Sequence, residues 1–130
     1  MSAAPSKARL LGARILSVLT VVFLLFDAVG KFAKPQPVID AFAHLDIPIS
    51  TAFTIGGILM VCTILYAIPK TSVLGAVLLT GYLGGAVSIH LRAGDPAFPL
   101  VFPILIGIMM WGGIYAREPR LHDLIPTRHE

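Results

Sequence analysis

Four long apolar runs, each closed by proline, glycine or clustered charge, leave this chain few folds to choose from. Residues 15–29 are apolar apart from Ser17, Thr20 and Asp27. With their flanks (residues 12–31) they reach the roughly 20 residues that a helix needs to cross a bilayer. The second run covers residues 50–68 and stops at Pro69-Lys70; the third covers residues 71–91 and runs into a turn with Gly94 and Pro96. The fourth covers residues 98–115, with Trp111 and Tyr115 placed as interfacial aromatics. A chain of 130 residues that is 56% hydrophobic and 13% charged cannot hide so much apolar surface in one soluble core. The expected fold is all-α: an integral membrane four-helix bundle, one transmembrane domain over residues 1–130, with a loosely ordered tail from 116 onward.

The connections refine this. Pro35 and Pro37 end the first helix, because proline lacks the amide donor and clashes with the preceding turn. Between Pro37 and Pro48, Val38, Phe42 and Leu45 recur at helical spacing among Asp40, His44 and Asp46, as in a short amphipathic helix lying in the interface. Only Pro69 and Lys70 separate the second and third spans, which must therefore form an antiparallel hairpin. Lys7, Arg9, Arg14, Lys70, Arg117, Arg120 and Arg128 gather on one side, against Lys31, Lys34 and Arg92 on the other. Seven cations against three place both termini in the cytoplasm and the short helix in the first extracytoplasmic loop. A cleaved leader is the competing reading, with Ala28-Val29-Gly30 as a weak cleavage site; Asp27 and Lys31 speak against it, so a retained first helix is expected.

The net charge of +3 does not point to nucleic acid, since the cations sit at the ends of apolar runs rather than along one face with interleaved aromatics. Cys62 is the only cysteine and lies within an apolar run, so it reads as a packing residue and no intrachain disulfide exists. No Cys/His cluster has metal-ligand spacing. There is no phosphate loop and no nucleophile beside a base, so the chain carries no catalytic motif and is not expected to act as an enzyme on its own.

Polar chemistry concentrates where the first and third spans end. Asp27 lies about five residues from the end of its span, roughly 7–8 Å deep at ~1.5 Å per residue. An ionised group at that depth wants a partner, and Lys31, one turn on, offers an i,i+4 acid-before-base pair. Residues 81–92 begin with Gly81, Gly84, Gly85 and Ser88 on one side and end with His90 and Arg92. Gly81 and Gly85 form a small-xxx-small pair and, with Gly56-Gly57 in the second span, are expected to admit a close neighbouring helix. His90 is expected on the opposite side, in line with Leu79, Leu83 and Ala86. Arg92 and Asp95 are placed to pair across the turn, and Tyr82 needs a hydroxyl partner near mid-span. Asp27, Lys31, Tyr82, His90 and Arg92 are the candidate ligand-binding residues.

Several stretches together resemble the DoxX-like family of small bacterial membrane proteins: Phe-Asp-Ala-Val-Gly-Lys at 26–31, Tyr-Ala-Ile-Pro-Lys-Thr at 66–71, and Leu-Gly-Ala-Val-Leu-Leu-Thr-Gly-Tyr-Leu-Gly-Gly-Ala-Val at 74–87 with His-Leu-Arg at 90–92. The resemblance runs from about Leu16 to Leu121. It implies a four-helix bundle in the bacterial cytoplasmic membrane and, through a wider superfamily that includes subunits similar to those of thiosulfate:quinone oxidoreductase, an accessory or quinone-interacting role in a membrane redox system. Relatives often carry a glutamate near positions 57–62; here that stretch is Gly-Ile-Leu-Met-Val-Cys, with no acid. Two other classes stay open: a transport module for small molecules or ions, and a structural membrane protein acting as a homo-oligomer or with a larger complex.

Overall fold

The structure, a computed structural model, describes residues 6–128. Five α-helices follow in order: α1 (Lys7–Ala33), α2 (Gln36–His44), α3 (Ala52–Ala67), α4 (Ser72–Arg92) and α5 (Ala97–Arg117), with short 3-10 turns before α3, before α4 and after α5. α1, α4, α5 and α3 with its leading turn are long and apolar enough to cross a membrane. At 27 residues α1 is about 40 Å long, more than the ~30 Å hydrocarbon core, so its ends emerge.

Each helix ends for a local reason. The Ser6 side chain caps α1 by accepting from the Arg9 amide at 3.1 Å. At the other end Lys34 turns left-handed, with φ 52°, and Pro35 follows. α3 stops before Pro69, and two of its last carbonyls, on Leu65 and Tyr66, accept the hydroxyls of Thr71 and Ser72, each at 2.7 Å. α4 closes through Gly94, whose φ of 75° suits a residue without Cβ. Pro103 sits inside α5 and removes one rung of its backbone ladder, which membrane helices tolerate when neighbours pack over the break.

The four spans form a ring. α1 packs on α3 and α5, and α4 packs on the same two, so α1 and α4 face each other across a diagonal. Leu24, Leu59, Leu79 and Met110 fill the centre with almost no exposure. The outside is just as apolar: Val22, Phe26, Ile58, Val77 and Ile108 are all more than half exposed. Such a surface is stable only against hydrocarbon, and the chain is a multi-pass membrane protein.

Three glycines allow the spans to touch. A Cβ at Gly75 would collide with the backbone of Tyr66, which locks α4 onto α3 beside their hairpin. One at Gly113 would strike Ser17, joining α5 to α1. One at Gly56 would meet Lys31 Cβ at 3.0 Å and the Ala28 carbonyl at 3.2 Å, joining α3 to the far half of α1. Gly57, Gly81, Gly84 and Gly85 touch nothing within 4 Å of where a Cβ would sit, and Ser88 is exposed, so no helix of this chain makes the close approach expected there. After α5 the chain does not leave the bundle at once. The turn Pro119–Asp123 inserts Leu121, 6% exposed, into the core, and Tyr115 Oη donates to the Ile125 carbonyl at 3.0 Å.

Candidate functional site

Polar side chains gather at both ends of the bundle, in different ways. At the end that holds the α3–α4 hairpin, Tyr66 is 1% exposed and its hydroxyl donates to the Met110 carbonyl at 2.7 Å. Its one proton is thereby spent, so Ser17 Oγ, 3.0 Å away, must donate to Tyr66. Ser17 in turn accepts from Arg117 Nη2 at 3.0 Å, while Arg117 Nε donates to the Gly113 carbonyl at 3.2 Å. A one-way chain of donors thus ties α5 to α1 to α3 and back to α5, each bond polarising the next. The Ser17 and Tyr66 hydroxyl protons are both spent within it.

The other end is hollow. A cavity of about 600 Å³ lies between α1, α4 and α5 and is roofed by α2. Phe42, 6% exposed, anchors that roof, and Pro37, Val38 and Ala41 present the apolar face of α2 to the cavity rather than to the lipid interface. Phe23 of α1 and Phe102 of α5, edge to face at 5.2 Å, form part of the wall, with Pro103 and Ile106 below them.

Four of the five ligand-binding candidates line this cavity: Asp27, Lys31, Tyr82 and His90. Lys31 Nζ donates to Asp27 Oδ1 at 2.8 Å, so the two charges cancel within one helix. Arg92 does not reach the cavity; it lies 3.9 Å from Asp46 on the exposed rim. Its expected partner, Asp95, is engaged elsewhere. The Asp95 carboxylate, only 5% exposed, accepts from His90 Nδ1 at 2.6 Å and from His44 Nε2. These two donors, His44 first and His90 second, hold its pKa below the ordinary carboxylate value. Because an ionised carboxylate only accepts, His90 carries its proton on Nδ1 and, when neutral, presents a lone pair on Nε2. His44 belongs to α2, so Asp95 also fastens the roof to the α4–α5 turn.

Tyr82 is the exception among these groups. Its hydroxyl makes no hydrogen bond with any described residue, and it is not sealed in, so it opens to the cavity. Gly81 and Gly85, placed by helical phase opposite His90, line the same cavity as His90. The separation of a packing face from a polar face on α4 therefore does not hold at this end. Sequence reasoning missed His44 and Asp95 as a pair because 51 residues separate them. No group of His, Cys, Asp and Glu among the described residues has the arrangement of a metal site.

No curated protein and no solved structure shows significant similarity to the chain. The profile of the DoxX-like family matches residues 15–113, from the start of the apolar part of α1 to the Gly113 contact in α5. That stretch contains the whole cavity wall, the roof and the Asp95 clamp, and the chain belongs to the DoxX-like family.

Proposed function

We propose that the protein is a ligand-binding accessory component of a redox system in the bacterial cytoplasmic membrane, and that its cavity takes a quinone. The Tyr82 hydroxyl carries this reading. A hydroxyl inside a spanning helix, without a partner among the described residues and open to an apolar space, is a costly thing to leave unused. A quinone carbonyl accepts its proton; in the reduced form a quinol hydroxyl can donate to the lone pair on His90 Nε2. The aromatic and aliphatic wall suits a ring, and 600 Å³ falls within the ~300–1,000 Å³ usual for small-molecule sites. In this reading the electrons come from a partner oxidoreductase. The basic residues favour a cytoplasmic position for the hairpin end and an extracytoplasmic one for the roof.

Native mass spectrometry of the protein in mild detergent, titrated with a short-chain benzoquinone, tests the reading. Binding that weakens about tenfold in Tyr82→Phe, the worth of one hydrogen bond, is the expected result. A protein that takes up no quinone, or takes it up equally well without the hydroxyl, overturns it.

A second reading, a structural membrane protein acting through oligomerisation, draws on Gly57 and Gly84, whose open positions would admit a helix from another copy. It expects Gly84→Leu to change the oligomer mass in the same spectra; an unchanged mass counts against it.

A further inference from the structure

We infer that the cavity is entered sideways from the bilayer, between the outer halves of α3 and α4 at Gly81 and Gly85, by a neutral amphiphile whose head reaches Tyr82 while its hydrocarbon chain trails out between the helices. This rests on the proposed ligand-binding role and specifies the route and the charge class of what binds.

The opening follows from where α3 is fastened. Beside the hairpin, Gly75 presses α4 against the backbone of Tyr66. At its other end α3 leans on α1 instead, through Gly56 against Ala28 and Lys31. The closest approach of α3 thus passes from α4 at its foot to α1 at its head. Tyr82 comes seven residues after Gly75, nearly two full turns at ~3.6 residues per turn, so it faces the same way. At Gly75 that face meets backbone; at Tyr82 it meets the cavity. Gly85 and Gly81 lie further round α4, away from α5. Both are exposed, both have nothing within 4 Å of a Cβ position, and both line the cavity. Glycines that line the cavity with nothing beside them leave room for a doorway there. From α3 only Ile55 reaches the cavity.

The charges select what enters. Asp27 is neutralised by Lys31 and the His90 proton is held by Asp95, so the lining offers no unmatched ion to a phosphate or an ammonium. The Tyr82 hydroxyl, the lone pair on His90 and the remaining hydrogen-bonding capacity of the neutral Asp27–Lys31 pair are left to meet a head group. A carbonyl, ether or hydroxyl head satisfies them without bringing charge into a low-dielectric space, where an unpaired ion is costly. The doorway has no polar side chain at Gly81 or Gly85, which suits hydrocarbon.

The test uses the full chain in liposomes with a monoacylglycerol carrying a diazirine in its acyl chain, irradiated and mapped by peptide mass spectrometry. Labelling is expected at Ile55 and across residues 81–89, above the level at the lipid-facing Val18 and Val22 of α1. Gly85→Leu, whose Cβ has no atom of its own chain within 4 Å, should cut the seam labelling about tenfold and leave Val18 and Val22 unchanged, as loss of one well-fitted contact region would. Excess unlabelled monoacylglycerol should compete and a phosphatidic acid of the same chain should not. Tyr82→Phe, which keeps the ring and the fold, should remove that preference for the neutral head. Even labelling around the bundle, or seam labelling indifferent to Gly85→Leu, overturns the lateral doorway. Equal competition by phosphatidic acid overturns the neutral-head selection. Seam labelling that competes with monoacylglycerol but not with the short-chain benzoquinone retains this inference and refutes the quinone.

Discussion

Tyr66 and Tyr82 are both spanning-helix tyrosines, one on α3 and one on α4, and they have opposite fates. Tyr66 sits where three helices converge, with both hydrogen-bonding capacities of its hydroxyl used. Tyr82 sits on the cavity wall, and its hydroxyl has no hydrogen-bond partner among the described residues. The difference lies in the glycines around them rather than in the tyrosines. Gly75 and Gly113 draw backbones together around Tyr66, whereas Gly81 and Gly85 have no backbone to meet beside Tyr82. A glycine brings helices together only where something else has already aimed them at each other. Where nothing has, the same residue leaves a hole.

The largest effect should come from breaking the tight end. Gly75→Leu puts a side chain into the Tyr66 backbone, with no flexible neighbour to move aside, and should cost more than about 4 kcal/mol, seen as loss of a folded, monodisperse protein in detergent. Gly85→Leu should fold normally in the same assay. A normal fold for both would refute the contrast between the glycines.

Next in size is Tyr66→Phe. It removes the acceptor of the Ser17 proton and the hydroxyl donor to the Met110 carbonyl, and should cost about 1–3 kcal/mol in denaturant unfolding. Tyr82→Phe, by contrast, should stay within about 0.5 kcal/mol of the parent, since no protein bond is lost. Equal losses in the two variants would mean that Tyr82 has a structural partner after all.

A smaller effect should appear in the roof. The Asp95 carboxylate has a folded pKa below its unfolded value, so its hold on His44 and His90 is present in full above about pH 3.9 and is lost as the pH falls through the folded value. Hydrogen exchange across α2, corrected for intrinsic rates, should therefore accelerate as the pH falls below about 4. In Asp95→Asn the protection of α2 should be weaker at pH 7 and lack that acid limb. The exposed Arg92–Asp46 pair is too long at 3.9 Å to substitute for the clamp.

Much of this was legible in the sequence, because each legible part depended on neighbours along the chain. The four apolar runs gave the spans, and the i,i+4 rule gave Asp27 with Lys31. Helical phase correctly grouped Gly81 with Gly85, but phase describes one helix and is silent about what stands beside it. The decisive contacts, Gly75 on Tyr66 and Gly56 on Lys31, belong to pairs of helices, so neither the closed seam nor the open one could be read from spacing. Asp95 was assigned to Arg92 because both border the same turn. Gly94 at φ 75° instead folds that turn back on His90, and His44 arrives from a different helix altogether.

The Asp27–Lys31 bond also bears on how the protein is made. A charge whose partner lies on another span must enter the bilayer alone and wait for the rest of the chain to be synthesised. Here acid and base travel on the same helix, one turn apart, and can meet as soon as that turn forms. The pair is therefore electrically balanced within its own helix, and its insertion does not depend on the assembly of the other spans.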